Sequence, residues 1–386
     1  MMRLREIIEK IKPAFSKGGK LGMFSSTFEA FESFIFVPNT VAKNKGSHIH
    51  DSIDLKRTMS IVIMALMPAL IFGMWNTGYQ HFLSVGEEVS FIDTFFYGFV
   101  KVLPLIIVSY VTGLAIEFAS AQIRGHEVNE GYLVTGMIIP LIMPVDVPLW
   151  ILALSVIFAV VIGKEIFGGT GMNIWNPALL SRAFVFFAYP SKISGDKIWI
   201  AGLENAQNAA DGFSGATPLS YAAANEIDKL PDTLDMFIGI IPGSIGETST
   251  IAILLGASIL IFTGIASWKI MVSTVAGALF TGLLVNMLGG SPYLEMPAWQ
   301  HLIMGGFAFG AVFMATDPVT SAQTETGKWL YGFLIGVVVI IIRLFNPGFP
   351  EGMMMAILLM NTFAPLIDHC VVQSNIKKRM KRKLIL

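Results

Sequence analysis

The chain has 386 residues and a formal net charge of −1, and apolar residues make up 54% of it against only 14% charged. A soluble domain dresses its surface with about a quarter charged residues, so a water-soluble globule is excluded and an integral membrane protein is indicated. The single cysteine, Cys370, excludes an internal disulfide, a four-cysteine zinc site and a cysteine-ligated iron–sulfur cluster built by this chain alone.

Residues 1–56 are polar and charged, which predicts a cytoplasmic N-terminal segment without a cleavable leader. Within it, Phe24 to Phe36 is apolar enough to lie on the inner membrane surface as an amphipathic helix. Helices that cross the hydrocarbon need about 20 mostly apolar residues. Ten stretches approach this: 59–75, 98–119, 131–143, 147–167, 176–189, 247–264, 268–288, 299–315, 327–343 and 350–367. The third and fifth are short and abut Gly or Pro clusters.

Loop charges orient the spans. Of 26 basic residues, ten lie in 1–57 and six between Lys377 and Lys383. Basic loops stay in the cytoplasm, a better account of these clusters than nucleic-acid binding. The first connection holds Glu87, Glu88 and Asp93 and no base, so it is expected outside. Residues 190–246, with seven acids against three lysines, are expected outside too. Both termini then fall in the cytoplasm. Pro144-Val145-Asp146-Val147-Pro148 precedes Asn176-Pro177 much as Thr316-Asp317-Pro318 precedes Asn346-Pro347, with Asp-to-Asn spacings of 30 and 29. The predicted fold is therefore an all-α integral membrane protein of about ten transmembrane helices in two inverted five-helix repeats with interrupted helices. Such repeats place a site near the midplane. The expected segments are the N-terminal 1–56, a first repeat over 57–189, an outer loop over 190–246, a second repeat over 247–367 and a basic cytoplasmic tail over 368–386.

Ionisable groups within membrane spans are functional candidates by default. Glu117, Asp317 and Asp368 qualify, as does Glu165 beside Lys164, and Glu29 lies in the apolar N-terminal stretch. Carboxylates near carbonyls freed at a helix break suit a sodium ion, which prefers hard oxygen ligands. Asp317, on a Pro-broken repeat element, is the strongest of these ion-pathway candidates. The six histidines form no i, i+4 pair on a span, so neither haem ligation nor another metal site is expected. The outer loop contains Asp211-Gly212-Phe213-Ser214-Gly215-Ala216-Thr217-Pro218. Pro218 biases Thr217 toward an extended backbone, and taken alone this is an accessible Thr in a turn.

The pattern Asp-x-x-Ser-Gly-Ala-Thr resembles the flavinylation motif of bacterial membrane redox proteins. There a flavin transferase acting outside the cytoplasm uses FAD to place FMN on the Thr hydroxyl as a phosphoester. The resemblance makes Thr217 the attachment point and Asp211, Ser214, Gly215 and Ala216 the recognition sequence. Further blocks resemble the B subunit of the sodium-translocating NADH:quinone reductases: His48-Ile49-His50-Asp51-Ser52-Ile53-Asp54-Leu55-Lys56-Arg57, His126-Glu127-Val128-Asn129-Glu130-Gly131, Lys164-Glu165-Ile166-Phe167-Gly168-Gly169-Thr170-Gly171, Ile241-Pro242-Gly243-Ser244-Ile245-Gly246-Glu247, Met314-Ala315-Thr316-Asp317-Pro318, Pro350-Glu351-Gly352-Met353-Met354 and Ala364-Pro365-Leu366-Ile367-Asp368-His369. They run in order along nearly the whole chain.

What the family implies is a bacterial inner-membrane pump that passes electrons from NADH to quinone and moves sodium ions outward. Covalent FMN sits on this subunit, riboflavin is bound non-covalently within the complex, and other subunits are partners. NADH oxidation falls to one of them, because no soluble nucleotide fold is visible here. Riboflavin is placed near Asn173 and Asn176, in the break after Gly168-Gly169-Thr170-Gly171, a run read as a helix break rather than a phosphate loop. The family's quinone-associated motif has adjacent glycines before a glutamate. Here Gly113 and Leu114 precede Glu117, and the Leu side chain bears on quinone preference and inhibitor sensitivity. Two readings compete. One is the homologous D subunit of an Rnf-type ferredoxin:NAD oxidoreductase, which the long N-terminal segment disfavours. The other is an inverted-repeat solute channel or transporter, which has no use for a flavinylation motif.

Overall fold

The computed structural model describes residues 2–15, 19, 22, 28, 32, 55–124, 131–203, 214–346, 348 and 350–383. The expectations for Glu29, for Phe24 to Phe36 as a unit, for Asp211 and for the His48–Asp54 block lie outside the described residues. Every described element is helical, and no strand occurs among the described residues.

After α1 (Met2–Phe15) come α2 (Leu55–Val85), α3 (Phe91–Arg124), α4 (Tyr132–Leu141), α5 (Leu149–Val161) and α6 (Pro177–Ala188). The described residues of the segment expected outside carry only short helical turns, among them Pro218–Ala223 and Thr233–Ile238. Then follow α7 (Thr250–Phe262), α8 (Trp268–Leu288), α9 (Phe307–Phe309, continuing as a π-turn over Gly310–Met314), α10 (Glu325–Phe345) and α11 (Met353–Lys383). Six helices among the described residues are long and apolar enough to cross a membrane, and α4, α6 and α7 are shorter apolar helices. The chain is a multi-pass membrane protein.

Several boundaries differ from the sequence-based expectation. α2 and α3 have 31 and 34 residues, or about 46 and 51 Å at 1.5 Å per residue. Both outrun the hydrocarbon of about 30 Å, and apolarity marks only their central parts. α11 continues through much of the basic tail, as far as Lys383. The span expected over 299–315 is not one helix. It is a turn at Gln300–Ile303, a break with Gly305 at φ +60°, and then α9. Arg343 on α10 explains the break: its guanidinium donates to the carbonyls of His301 (2.5 Å) and Met304 (2.8 Å). Irregular backbone at membrane depth is tolerated where protein satisfies it.

Packing follows membrane rules rather than soluble ones. Leu66, Leu105, Ile139, Leu152 and Phe309 form part of a continuous buried core, while Phe262 is 90% and Ile123 86% exposed on the outer faces. Lipid is as apolar as leucine, so small residues that let backbones approach drive helix association. Gly98 of α3 is such a residue: a Cβ there would collide with the Met74 carbonyl of α2.

Candidate functional site

Two chambers flank α6. The first lies where interrupted segments meet: the start of α4, the stretch after α5, the N-cap of α6, the end of α7 and the Thr316-Asp317-Pro318 turn after α9. It is a cavity of about 110 Å³ whose polar lining includes Thr135, Lys164, Asn173, Asn176 and Asp317, closed on its apolar side by Ile138, Leu260 and Phe313.

Local chemistry explains each position. Asn176 caps α6, its side-chain oxygen accepting from the amides of Ala178 (3.0 Å) and Leu179 (3.4 Å), with Pro177 in the first turn. Its amide nitrogen then donates to Asp317 Oδ2 at 3.3 Å. Asp317 also accepts from Thr320 Oγ1 (3.0 Å) and the Val319 amide (3.1 Å), so a carboxylate is held by dipoles without a basic partner among these contacts. Asn173 is buried and donates to the Trp175 carbonyl at 3.0 Å. The break is glycine-made: Gly168, Gly169 and Gly171 have φ of +121°, +98° and +91°, a region side-chain-bearing residues rarely adopt. The structure thus brings Asn173, Asn176 and Asp317 around one cavity.

The second chamber surrounds Thr217. This residue is half-buried and extended (φ −75°, ψ 155°), and it caps the Pro218–Ala223 turn by accepting from the Ser220 amide at 3.2 Å. Ser214 is exposed, whereas Gly215 and Ala216 are buried, Gly215 lying against the Asp196 carbonyl. Thr217 borders a cavity of about 80 Å³ with Arg182, Phe186, Trp199 and Glu351, and a smaller one of about 20 Å³ with Ser244, Glu247 and Gly305.

Beneath it lies a buried charge network. Arg182 of α6 donates to both oxygens of Glu247 (2.8 and 2.9 Å) and to Glu351. Arg343 donates to the Glu351 carbonyl at 3.0 Å and stands 5.8 Å from the Phe307 ring centre. Sequence reasoning does not anticipate this network, although a signal for it is present. Arg182 interrupts an apolar stretch, and intramembrane bases are as costly as intramembrane acids. Glu247 and Glu351 lie inside blocks that carry the family resemblance, without a role of their own.

The remaining candidates lie apart from both chambers. Glu117, in the last third of α3, pairs with Lys164, and both are buried. Gly113, one turn earlier, lies against the Tyr132 ring, where a Cβ would clash. Tyr132 in turn donates to the Ser109 carbonyl at 2.9 Å. Leu114 is half-buried against the core. Asp368 on α11 accepts from the amides of Gln323 (2.7 Å) and Thr324 (2.9 Å) and from Thr324 Oγ1 (2.5 Å), fastening the loop that leads into α10. No group of three or more His, Cys, Asp or Glu side chains that would hold a metal ion occurs among the described residues.

Comparison with known proteins agrees with this picture of a membrane subunit. The NQR2, RnfD, RnfE family profile matches residues 42–377. Among curated relatives, the Na(+)-translocating NADH-quinone reductase B subunit of Ectopseudomonas mendocina is 46% identical, covering 99% of this chain and 100% of its own length. The protein of that name from Chromohalobacter salexigens is also 46% identical over 99% of this chain and 97% of its own. That of Pseudomonas aeruginosa is 44% identical, over 99% and 100%. A profile that spans most of the chain and relatives that span nearly all of it lead to one conclusion: the chain belongs to the NQR2, RnfD, RnfE family.

Proposed function

We propose that this chain is the membrane subunit of a sodium-pumping NADH:quinone oxidoreductase, carrying FMN as a phosphoester on Thr217 and relaying electrons toward quinone while sodium ions move outward. NADH oxidation takes place on a partner subunit. The chain lies in a bacterial inner membrane with both termini in the cytoplasm. Its ten membrane segments, α2 to α6 and α7 to α11, form two inverted halves, with α4 and α9 as the matching short elements before the Asp146 and Asp317 turns.

The observation that carries this reading is the placement of Thr217. Its hydroxyl stands at a cavity rim, on extended backbone, accepting a bond from Ser220 and donating to no other described residue. It is therefore free to act as a nucleophile toward phosphorus. Attachment forms a P–O bond from Thr217 Oγ to the FMN phosphorus of FAD and breaks the pyrophosphate bond. AMP leaves, and the hydroxyl proton is lost to solvent or to the transferase. The adjoining cavity of about 80 Å³ suits a phosphate and the start of a ribityl chain. Trp199 and Phe186 supply aromatic surface there, and Arg182 a positive charge already shared with two carboxylates.

The central cavity suits riboflavin by the chemistry of its lining. Asn173 and Asn176 carry amides that both donate and accept, matching the N–H and carbonyl edge of a flavin ring, and Ile138, Leu260 and Phe313 supply apolar walls. Bound flavins supply one- and two-electron transfer. Asp317 and Glu117 are the acids placed to receive sodium ions, and the Gly113–Glu117 stretch of α3 borders the quinone region.

The test is the mass of the chain co-expressed with its flavin transferase, beside a Thr217→Ala variant, with in-gel fluorescence under denaturing conditions. An FMN-sized increment and fluorescence, both lost in the variant, are expected. An unmodified wild-type chain would overturn the covalent assignment and restore the transporter reading.

A further inference from the structure

The buried pair between α3 and the segment after α5 has a feature that a plain structural ion pair does not need. The Lys164 ammonium donates to Glu117 Oε1, and each side chain is only 4% exposed. The second oxygen, Glu117 Oε2, is buried with no hydrogen-bond partner. A carboxylate held purely for stability in a dry site has its remaining lone pairs satisfied. This one is half-occupied.

Lys164 is also placed to serve more than one acid. It lies outside α5, on irregular backbone (φ −129°, ψ −60°), with its carbonyl fixed by the amides of Phe167 (3.2 Å) and Gly169 (3.1 Å). Lys164 lines the central cavity, where it is the one base and Asp317 the one acid among the described lining residues. The neighbouring acid, Glu165, is not available to it. The Glu165 carboxylate takes Ser120 Oγ and lies 3.5 Å from Arg124 Nη1, while Arg124 Nη2 donates to the Glu165 carbonyl at 2.7 Å. A single ammonium on a flexible four-carbon stem thus pairs with Glu117, and its residue lines the cavity that also holds Asp317. Lysine suits such a task, being a compact point charge with rotatable donors rather than a rigid fork.

We propose that Lys164 is a tethered counter-cation that competes with the translocated sodium ion for Glu117, the ammonium swinging toward the Asp317 side of the central cavity when sodium takes its place. This rests on the reading of Glu117 and Asp317 as stations on the sodium path. The exchange swaps one monovalent cation for another at Glu117, so that buried carboxylate is never left without a cation, which would be strongly unfavourable. It also links the two acids. An ammonium that moves from Glu117 toward Asp317 raises the barrier to a second cation there, so sodium ions pass one at a time.

The experiment uses the assembled, purified complex. The sodium dependence of quinone reduction and the equilibrium binding of radioactive sodium are measured for wild type, Lys164→Met, Lys164→Arg and Glu117→Gln. Removing the competitor in Lys164→Met is expected to lower the half-saturating sodium concentration by about tenfold, the usual effect of one nearby charge on a buried ionic site. Lys164→Arg is expected to raise it, because a guanidinium grips a carboxylate with two bonds. Opposite shifts of this kind do not arise from a merely structural lysine. Turnover that falls in Lys164→Met with sodium half-saturation and binding unchanged would overturn the proposal. Should Lys164→Met fail to assemble, an unaltered sodium dependence in Lys164→Arg would overturn it equally. Sodium dependence unaffected by Glu117→Gln would instead sink the path reading on which the proposal stands.

Discussion

Arg182 shows how much depends on one side chain. It sits in the middle of a 12-residue helix, 4% exposed, and binds Glu247 through both carboxylate oxygens and Glu351 besides. Such a pair is costly to assemble, but removing one member is worse, because it strands the other charges. Arg182→Ala is expected to lower stability by about 3–5 kcal/mol, read as earlier thermal unfolding of the detergent-solubilised protein. Arg182→Lys should recover only part of this, since an ammonium cannot reproduce the fork. An alanine variant as stable as wild type would contradict the role assigned to the network. Arg343 reaches a different solution: its bonds go to the carbonyls of His301, Met304 and Glu351, so it stabilises an irregular backbone rather than a carboxylate.

At the scale of elements, α2 and α3 form an antiparallel pair held by close backbone approach. Gly98 meets the Met74 carbonyl, and Gly78 of α2 meets that of Thr94. Gly98→Val is expected to force the helices apart at a cost of about 1–3 kcal/mol, the usual range for overpacking. It would be detected as reduced yield of folded protein and a lower melting temperature. Unchanged thermal behaviour would show that the pair has slack there. The interrupted elements follow another logic: α4, α6 and α9 are short because their ends form the central cavity, and helix ends supply the unpaired polar groups that a site uses.

For the whole molecule, the two chambers are expected to load independently. Asn173→Ala with Asn176→Ala should remove the flavin that acid or solvent extracts while leaving the covalent fluorescence of the chain. Thr217→Ala should do the reverse, and loss of both pools together in either variant would argue against separate sites. Much of this organisation is legible in the sequence. Apolar stretches locate α2 to α8, α10 and α11, and Asn176, Pro177 and Asp317 mark the central cavity, because capping residues and Pro act locally and announce themselves. Three things are not legible. The lengths of α2, α3 and α11 escape because polar residues continue a helix beyond the apolar part. The broken region before α9 escapes because its cause, Arg343, lies on another helix. The Arg182–Glu247–Glu351 network joins residues 65 and 169 positions apart, and such tertiary pairing has no local signature.

α6 ties these levels together. Its N-cap, Asn176, lines one chamber, and Arg182, six residues on, lines the other, a step of about 9 Å along the axis. A helix is stiff over two turns, so this spacing acts as a ruler. On the proposed function, rearrangements that let ions pass would have to bend the glycine-rich stretch before α6 or the broken run before α9, while the interval between the two proposed flavin sites stays fixed. The proposed electron route would then keep a constant gap throughout the pumping cycle, and only the ion route would open and close.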